Sequence, residues 1–493
     1  MSNKNTDFLK ALSGIQGVYG SKVYPKSIQQ VEDTYVWMQA APHADELVAY
    51  GRLANQFKGQ IDDVSGVPVV IAPLTFENGQ VLRRLFPFTK PIPVLNKQRS
   101  FGLGDRLGLA TPGHARVFKQ YDAYPIFAQQ SIRELTLTHR TYEDVLDAAS
   151  FGAFKVGFTR GFGADGDHLK KPEDIKYALS LGFTMITLDA SDYIRNDVNH
   201  MTDEQVRREV QIDDMLKKRY LGHPIQIEHS VVEFSENELN RCVLVYGKAI
   251  EFAAKIYQTF FIDQKAEANF ELSIDETSTP TTPAQHYFVA NELKLRGVKL
   301  DTLAPRFCGE FQKGIDYVGD IKQFEVELMV HAAIARHFGY KLSIHSGSDK
   351  FSIFTLIGKH TRGHFHVKTA GTNWLEAMRV VSAKAPKLYR DIHAYAISMF
   401  GEAQKFYHVT TDLNRIPALE TLKDEELPNL FHNNDARQLI HITYGFILNH
   451  KNEQGEFVFR NQLFALWRDE AQTYSDMLYA HIGMHLELLY KGF

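Results

Sequence analysis

The sequence predicts an α/β fold: a TIM-like (β/α)8 barrel with a small N-terminal α/β region and a helical C-terminal extension. Three observations carry that prediction. Short β-like runs recur along the middle of the chain, each followed by polar or glycine-containing residues and then by a stretch of helical periodicity. Eight such runs occur, the number that closes a barrel of parallel strands. Their C-terminal ends are polar, and in a barrel enzyme that end carries the loops that do the chemistry.

Residues 1–97 form the N-terminal region, where turn signals alternate with apolar runs such as 67–74. The barrel spans 98–375, with strands expected at 100–105, 124–129, 154–158, 183–189, 270–275, 303–310, 341–345 and 364–368. Between the sixth and seventh runs, 319–337 places Ile321, Phe324, Leu328, Ala332 and Ala335 at spacings of three or four, with Asp320 as its cap. Similar stripes mark 172–181 and 283–295 as helices. The stretch between the fourth and fifth runs is too long for one crossover, so a helical insertion is expected at about 195–262. Residues 376–493 read as mostly helical, with a short strand at 407–413. The segment 438–444 and the aromatic-rich tail are candidates for a subunit interface, hence a homo-oligomer, or for a lid over the barrel.

Composition removes several function classes. The 493 residues carry 55 basic and 59 acidic side chains, a net charge of -4, with no basic stripe interleaved with aromatics. Nucleic acid is therefore not expected as a partner. The two cysteines, Cys242 and Cys308, are far apart, which supports neither a disulfide framework nor a thiolate zinc site and predicts a reducing cytoplasm. Residues 1–7 are polar, and no apolar run approaches the roughly 20 residues that span a bilayer, so no membrane association is expected. The 21 histidines are the unusual feature. Rich in histidine and poor in cysteine, the chain points to N/O metal ligation or acid/base chemistry.

The strand ends supply the candidates. The first run ends in Asp105 and Arg106, and the third leads into 161–168 (GFGADGDH) with Asp167 and His168. In the fifth, FELSID, strand alternation puts Glu271, Ser273 and Asp275 on one face. The same period groups Arg306, Cys308, Glu310 and Gln312 in the sixth. The seventh delivers His345, and the eighth His364, His366 and Lys368. Two imidazoles and an oxygen ligand converging from separate strands can hold a divalent metal with positions left open for substrate. On that reading His168 and His345 are imidazole ligands, with Gln312 or Glu310 as the oxygen ligand. His366 is a substrate contact or a lumen-packing residue. Asp167 is an orienter of His168, a base, or a turn residue. The glycines at 102–108 have the form GxGxxxG, a tight turn rather than a dinucleotide signature.

At GFGADGDH, FELSIDETSTPTTP, APRFCGEFQKGIDYVGD, SIHSGSDKFS and HFHVKTAGTNWLEA the chain resembles the tagaturonate epimerase family of bacterial hexuronate catabolism. The resemblance runs from SFGLGDRLG to near the C-terminus. It implies interconversion of D-tagaturonate and D-fructuronate, ketohexuronates, and dependence on a divalent cation (Zn, Mn, Ni, Fe or Co). Carried onto this chain, it makes Asp167 the proton acceptor, Glu271 the proton donor, and His168 and His345 metal ligands. The third ligand falls in GEFQKG, where relatives often carry a second Glu in place of Gln312, so that Gln312 and Glu310 both stand. Asp105, Arg106, Asp275, Arg306, Glu310, His366 and Lys368 are the expected substrate-binding residues. Arg106, Arg306, Lys350 and Lys368 are the cations available for the substrate carboxylate, Lys350 being the one most expected at the surface.

The two ketouronates differ at a carbon β to the ketone, so removal of a simple α proton would not invert it. Retro-aldol cleavage between the α and β carbons with re-addition would, and so would direct proton exchange at the β carbon between Asp167 and Glu271. Two other readings use the same residues: an epimerase of the tagatose/fructose 4-epimerase type or an aldolase acting on neutral ketoses, and a non-catalytic carbohydrate-binding barrel.

Overall fold

The computed structural model describes residues 8–14, 22–210 and 212–493. Its first sheet holds six antiparallel strands: β1 (Lys22–Val23), β2 (Gln29–Val31), β3 (Thr34–Ala40), β4 (Asp45–Tyr50), β5 (Gln60–Val64) and β6 (Val67–Pro73). Alternation along β3 sends Val36 and Met38 to one face, with Phe151 and Phe154 of the helix Tyr142–Lys155, and Trp37 to the other, with Phe8 and Ala11. The sheet is thus clamped against the flank of the barrel.

The barrel closes from eight parallel strands: β7 (Arg99–Leu103), β8 (Tyr124–Ser131), β9 (Gly163–Leu169), β10 (Met185–Asp189), β13 (Asn269–Ile274), β14 (Thr302–Pro305), β15 (Lys341–Ile344) and β16 (Phe365–Thr369). β16 pairs with β7 to complete the ring. β11 (Ile225–Ile227) and β12 (Ser230–Val232) form a hairpin outside it, within the insertion. That insertion is only partly helical, and its last helix, Glu236–Tyr257, packs beside the helix Pro283–Leu295 as the barrel's own crossover.

Three expected strands are displaced. Residues 154–158 are not a strand. Thr141 and Asp144 form a capping box that starts a helix running through Lys155, and Phe154 packs on Phe86 and Phe88 of the N-terminal region. The third strand is instead β9, the glycine- and aspartate-rich GADGDHL. Small residues suit its outer face, where a Cβ on Gly166 would come 2.9 Å from Leu169 Cδ1 and 3.3 Å from Ala178 Cβ. The sixth strand stops at Pro305, so 306–312 is a loop whose one ladder contact is the bridge between Glu310 and Val318. Residues 407–412 run on without strand pairing into a turn at Leu413–Arg415.

The C-terminal extension closes the barrel wall. Helix Thr372–Lys384, which runs through the boundary expected at 375/376, leads away from the wall into a second core around Trp374, Tyr444 and Trp467. The place it vacates, between Phe351–Thr361 and Thr111–Val117, is filled by Ala471–Tyr490. Ile482, Leu486 and Leu489 of that helix join the barrel core, and Leu478 joins the second core. Among the described residues no helix is long and apolar enough to cross a membrane.

Leu478 packs against Gly113 so closely that a Cβ there would approach Leu478 Cβ to 2.9 Å. Leu478→Ala opens a cavity at this seam and should cost about 2–5 kcal/mol, read as a lower denaturant midpoint at unchanged slope.

Candidate active site

The C-terminal half of the lumen is built around the Lys368 ammonium, delivered by β16. Its Nζ lies 2.7 Å from Asp165, 2.5 Å from Asp167 and 3.3 Å from Glu271, and donates to Thr187 Oγ1 at 2.6 Å. Asp165 and Asp167 stand two residues apart on β9 and so face the lumen together. Glu271 on β13 has both oxygens engaged: Oε1 by His345 Nε2 at 2.8 Å and Thr187 at 3.0 Å, Oε2 by Thr302 at 2.6 Å. Burial opposes charge on every member. For Glu271 the Lys368 and His345 charges outweigh it and hold the carboxyl well below its ordinary range. Burial also works against the Asp167 charge, yet Lys368 and His168 hold it below the usual carboxylate range. Asp165 is the exception, pushed up by burial to about 6 despite Lys368.

Beside this cluster, His168, Asp275 and His345 bring potential ligand atoms within 4.8 Å of one another. His168 adopts the left-handed conformation (φ 54°), which turns its ring at the end of β9, and its ring centroid lies 5.0 Å from that of His345. His345 donates Nε2–H to Glu271, leaving Nδ1 3.4 Å from Asp275. The Nδ1 atoms of both histidines are buried and make no hydrogen bond. Two imidazole nitrogens free of hydrogen bonds, His168 Nδ1 3.3 Å from Asp167 and His345 Nδ1 3.4 Å from Asp275, with Glu271 fixing one ring's tautomer, fit a divalent cation. Burial disfavours a charged His345, but Asp275 and Glu271 push it up to about 10.

A cavity of about 360 Å³ opens over these groups at the C-terminal face. Asp167, His168, Asp275 and His345 line it together with the cations Arg133, Arg306 and Lys313. Lys313 donates to Ser346 Oγ at 3.0 Å, and burial, with Arg133 nearby, pulls its pKa down. Arg133 lies over the Tyr407 ring at 4.9 Å. Neither Arg133 nor Lys313 was among the residues expected from sequence, because both sit beyond the strand ends. Asp165 went unread for the same reason that β9 did.

Other expected residues have different places. Asp105 caps its own loop, accepting from the backbone amides of Leu107, Gly108 and Ala110. Arg106 lines the cavity but is spent on Glu134 Oε1 at 3.0 Å, the His441 carbonyl at 3.1 Å and the Tyr444 ring. Gly371 (φ 78°) gives it room, since a Cβ there would meet the guanidinium carbon at 2.6 Å. Arg306 stands at the cavity wall with one guanidinium nitrogen on the Thr277 carbonyl. Glu310 lies at the rim, 3.8 Å from His408. His366 is fully buried, hydrogen-bonded to Ser100 at 3.0 Å and pushed down to about 3 by burial, a neutral packing group in the lumen rather than a substrate contact. Lys350 is not at the surface: its buried Nζ donates to the carbonyls of Gln312, Ile315 and Ser348. Lys368 is buried behind the cavity wall, paired with Asp165, Asp167 and Glu271, whose charge it balances. Gln312 lines the cavity, but its Oε1 accepts from Thr410 N, Thr410 Oγ1 and Gln438 Nε2, each at 3.0 Å, so Asp275 is the oxygen that stands with the two histidines.

A second His/Asp group, Asp349, His481 and His485, holds the loop after β15 in place. Asp349 pairs with Arg437 at 2.8 Å and His481 at 2.6 Å, and its amide donates to His485 Nε2 at 3.0 Å. Two helices, Asn434–Ile442 and Ala471–Tyr490, are thereby tied to the loop that carries His345.

The profile of the tagaturonate epimerase family matches residues 24–489. A tagaturonate/fructuronate epimerase of Thermotoga maritima is 42% identical over 480 residues, covering 95% of this chain and 97% of that protein. The native crystal structure of the fructuronate-tagaturonate epimerase from Cohnella laeviribosi superposes with a TM-score of 0.93 at 48% identity, covering 98% of this chain and 99% of that one. A glycerol complex of the same enzyme gives 0.94 at 48% identity, over 99% and 100%.

Lys368→Met leaves three buried carboxylates without their cation. It should cost about 3–5 kcal/mol of stability by denaturant unfolding, part of which Asp165→Asn in the same chain restores.

Proposed function

Because the chain belongs to the tagaturonate epimerase family, we propose that it interconverts D-tagaturonate and D-fructuronate by acid/base chemistry in the barrel cavity, with a divalent cation held there. The observation that carries this reading is the make-up of one cavity, with Asp167, His168, Asp275 and His345 on its wall and Arg133, Arg306 and Lys313 beside them. The cations are what a uronate carboxylate needs and a neutral ketose does not.

His168, His345 and Asp275 would hold the cation (Zn, Mn, Ni, Fe or Co), which when bound supplies Lewis acidity toward the substrate's ketone oxygen. To join them, Gln312 would have to release Thr410 and Gln438. Asp167, kept ionised beside Lys368, removes the proton of the β-carbon hydroxyl. The bond between the α and β carbons then breaks to an enolate and an aldehyde. The aldehyde turns and re-adds on its other face, and the proton returns from Asp167. Direct exchange at the β carbon would need a second carboxyl exposed on the opposite face. Glu271, the expected donor, is 0% exposed with both oxygens engaged, and it reaches the cavity through His345 and Lys368. Its burial favours the retro-aldol route.

A proton and carbon NMR time course of metal-reconstituted enzyme with D-tagaturonate in deuterated water tests the proposal. D-fructuronate should appear with hydrogen, not deuterium, retained at the inverted carbon. No conversion with any of the metals would reject the activity, and deuterium at that carbon would reject the route.

Asp167→Asn and Glu271→Gln should each lower kcat by about 10²–10⁴ in folded protein that keeps its metal, whereas an inert sugar-binding barrel would tolerate the second. For the ligand set, metal content after dialysis should fall in Asp275→Asn and hold in Gln312→Ala. The reverse pattern would hand the third position to Gln312.

A further inference from the structure

A second cavity, of about 410 Å³, opens at the other end of the barrel, beneath the N-terminal ends of β14 and β15. Lys97, Lys299, Arg336, Lys341 and His364 line it, against one carboxylate, Asp301. Two of these charges are already spoken for: Arg336 is held by Glu228 at 2.7 and 2.9 Å, and Asp301 accepts the Phe270 amide at 2.9 Å. Lys341 is only 6% exposed, and its Nζ donates to the Lys97 carbonyl at 2.9 Å and Ser100 Oγ at 2.6 Å, which leaves one of its three donors unused. Among the described residues Lys97, Lys299 and Lys341 form no ion pair. Burial pushes the Lys341 ammonium down to about 7, outweighing the upward pull of Asp301 and Glu271. The His364 ring is lowered by burial and by Lys341, Arg99 and Arg336.

We propose that this cavity is a binding site for a small anion bearing phosphate or carboxylate groups, held by Lys97, Lys299 and Lys341. A buried ammonium without a counter-charge is costly, and an oxyanion would supply both the charge and the missing acceptor. The helix Ile321–Phe338 presents its negative end here, and two of its last four carbonyls, those of Ala335 and Arg336, are already paired. Gly339 (φ 81°) folds its amide onto Ala335 and Arg336 at 3.0 and 3.1 Å, and the Tyr340 amide also reaches Ala335. The size suits a metabolite rather than a single ion. Such an occupant on Lys341 is linked to His366 by two successive hydrogen bonds, Lys341 to Ser100 and Ser100 to His366, at the foot of the strand that leads into His345. The inference is independent of the reaction assigned to the upper cavity.

Calorimetric titration of the full-length protein with inorganic phosphate and, separately, with citrate tests it. Saturable binding of either is expected, and which one binds tells a phosphate-bearing ligand from a carboxylate-bearing one. Binding should weaken about tenfold or more in Lys299→Glu and Lys341→Met, the loss of one charge-assisted contact, and stay unchanged in Lys313→Met in the upper cavity. Should Lys341→Met fail to fold, Lys299→Glu at the exposed rim and Lys97→Glu carry the comparison. Absence of saturable binding overturns the proposal. So does binding that survives Lys299→Glu and Lys97→Glu or disappears with Lys313→Met.

Discussion

One buried ammonium governs the upper lumen. Asp165, Asp167 and Glu271 could not be packed together inside a barrel if each had to bear its desolvation alone, and Lys368 is the cation that all three share. With it in place, Asp167 stays ionised at the cavity wall and Glu271 can hold the His345 ring by its Nε2–H. The tautomer of His345 therefore follows, through Glu271, from a lysine on the next strand of the barrel, β16. Burial, together with two further carboxylates around the one ammonium, explains why Asp165 is the carboxyl of the group that is pushed up.

How much of this was legible depended on whether a signal was local. The helix at 321–338 and the alternation FELSID were read correctly, because one face of each repeats at its own period. The third strand was misplaced because a lumen strand with charged inward residues and the small Ala164 and Gly166 on its outer face has the composition of a turn. Extending the sixth strand past Pro305 carried the alternation argument onto residues that form a loop. Gln312 therefore appeared to share a face with strand residues, when its acceptor is claimed by Thr410 and Gln438. The burial of Lys350 depends on three carbonyls gathered from two loops, and no pattern in sequence announces such a gathering. His345 follows the end of β15, a position that sequence does mark, whereas Asp167 and His168 drew attention by residue type although the strand that carries them, β9, was not recognised.

The extension is part of the active-site architecture rather than an appendage. Arg437 and His481 hold Asp349 in the loop that follows His345, while Gln438 and Thr410 hold Gln312 in the loop after β14. Two of the loops that line the cavity thus take their shape from residues beyond the barrel strands. The cation–aromatic seat of Arg106 on Tyr444, with a ring centroid 3.7 Å away, is a third such contact.

The helix Ala471–Tyr490 occupies the last place in the barrel wall yet is translated after all eight strands. At about 5–20 residues per second, the ribosome needs on the order of ten seconds to pass from β16 to that helix. Throughout that interval the nascent barrel has a gap between its first and seventh helices, exposing the apolar surface of β7 and β16. The barrel wall is therefore complete only once this helix has been made, and a chaperone or a protease meeting the chain before then would meet it at that gap.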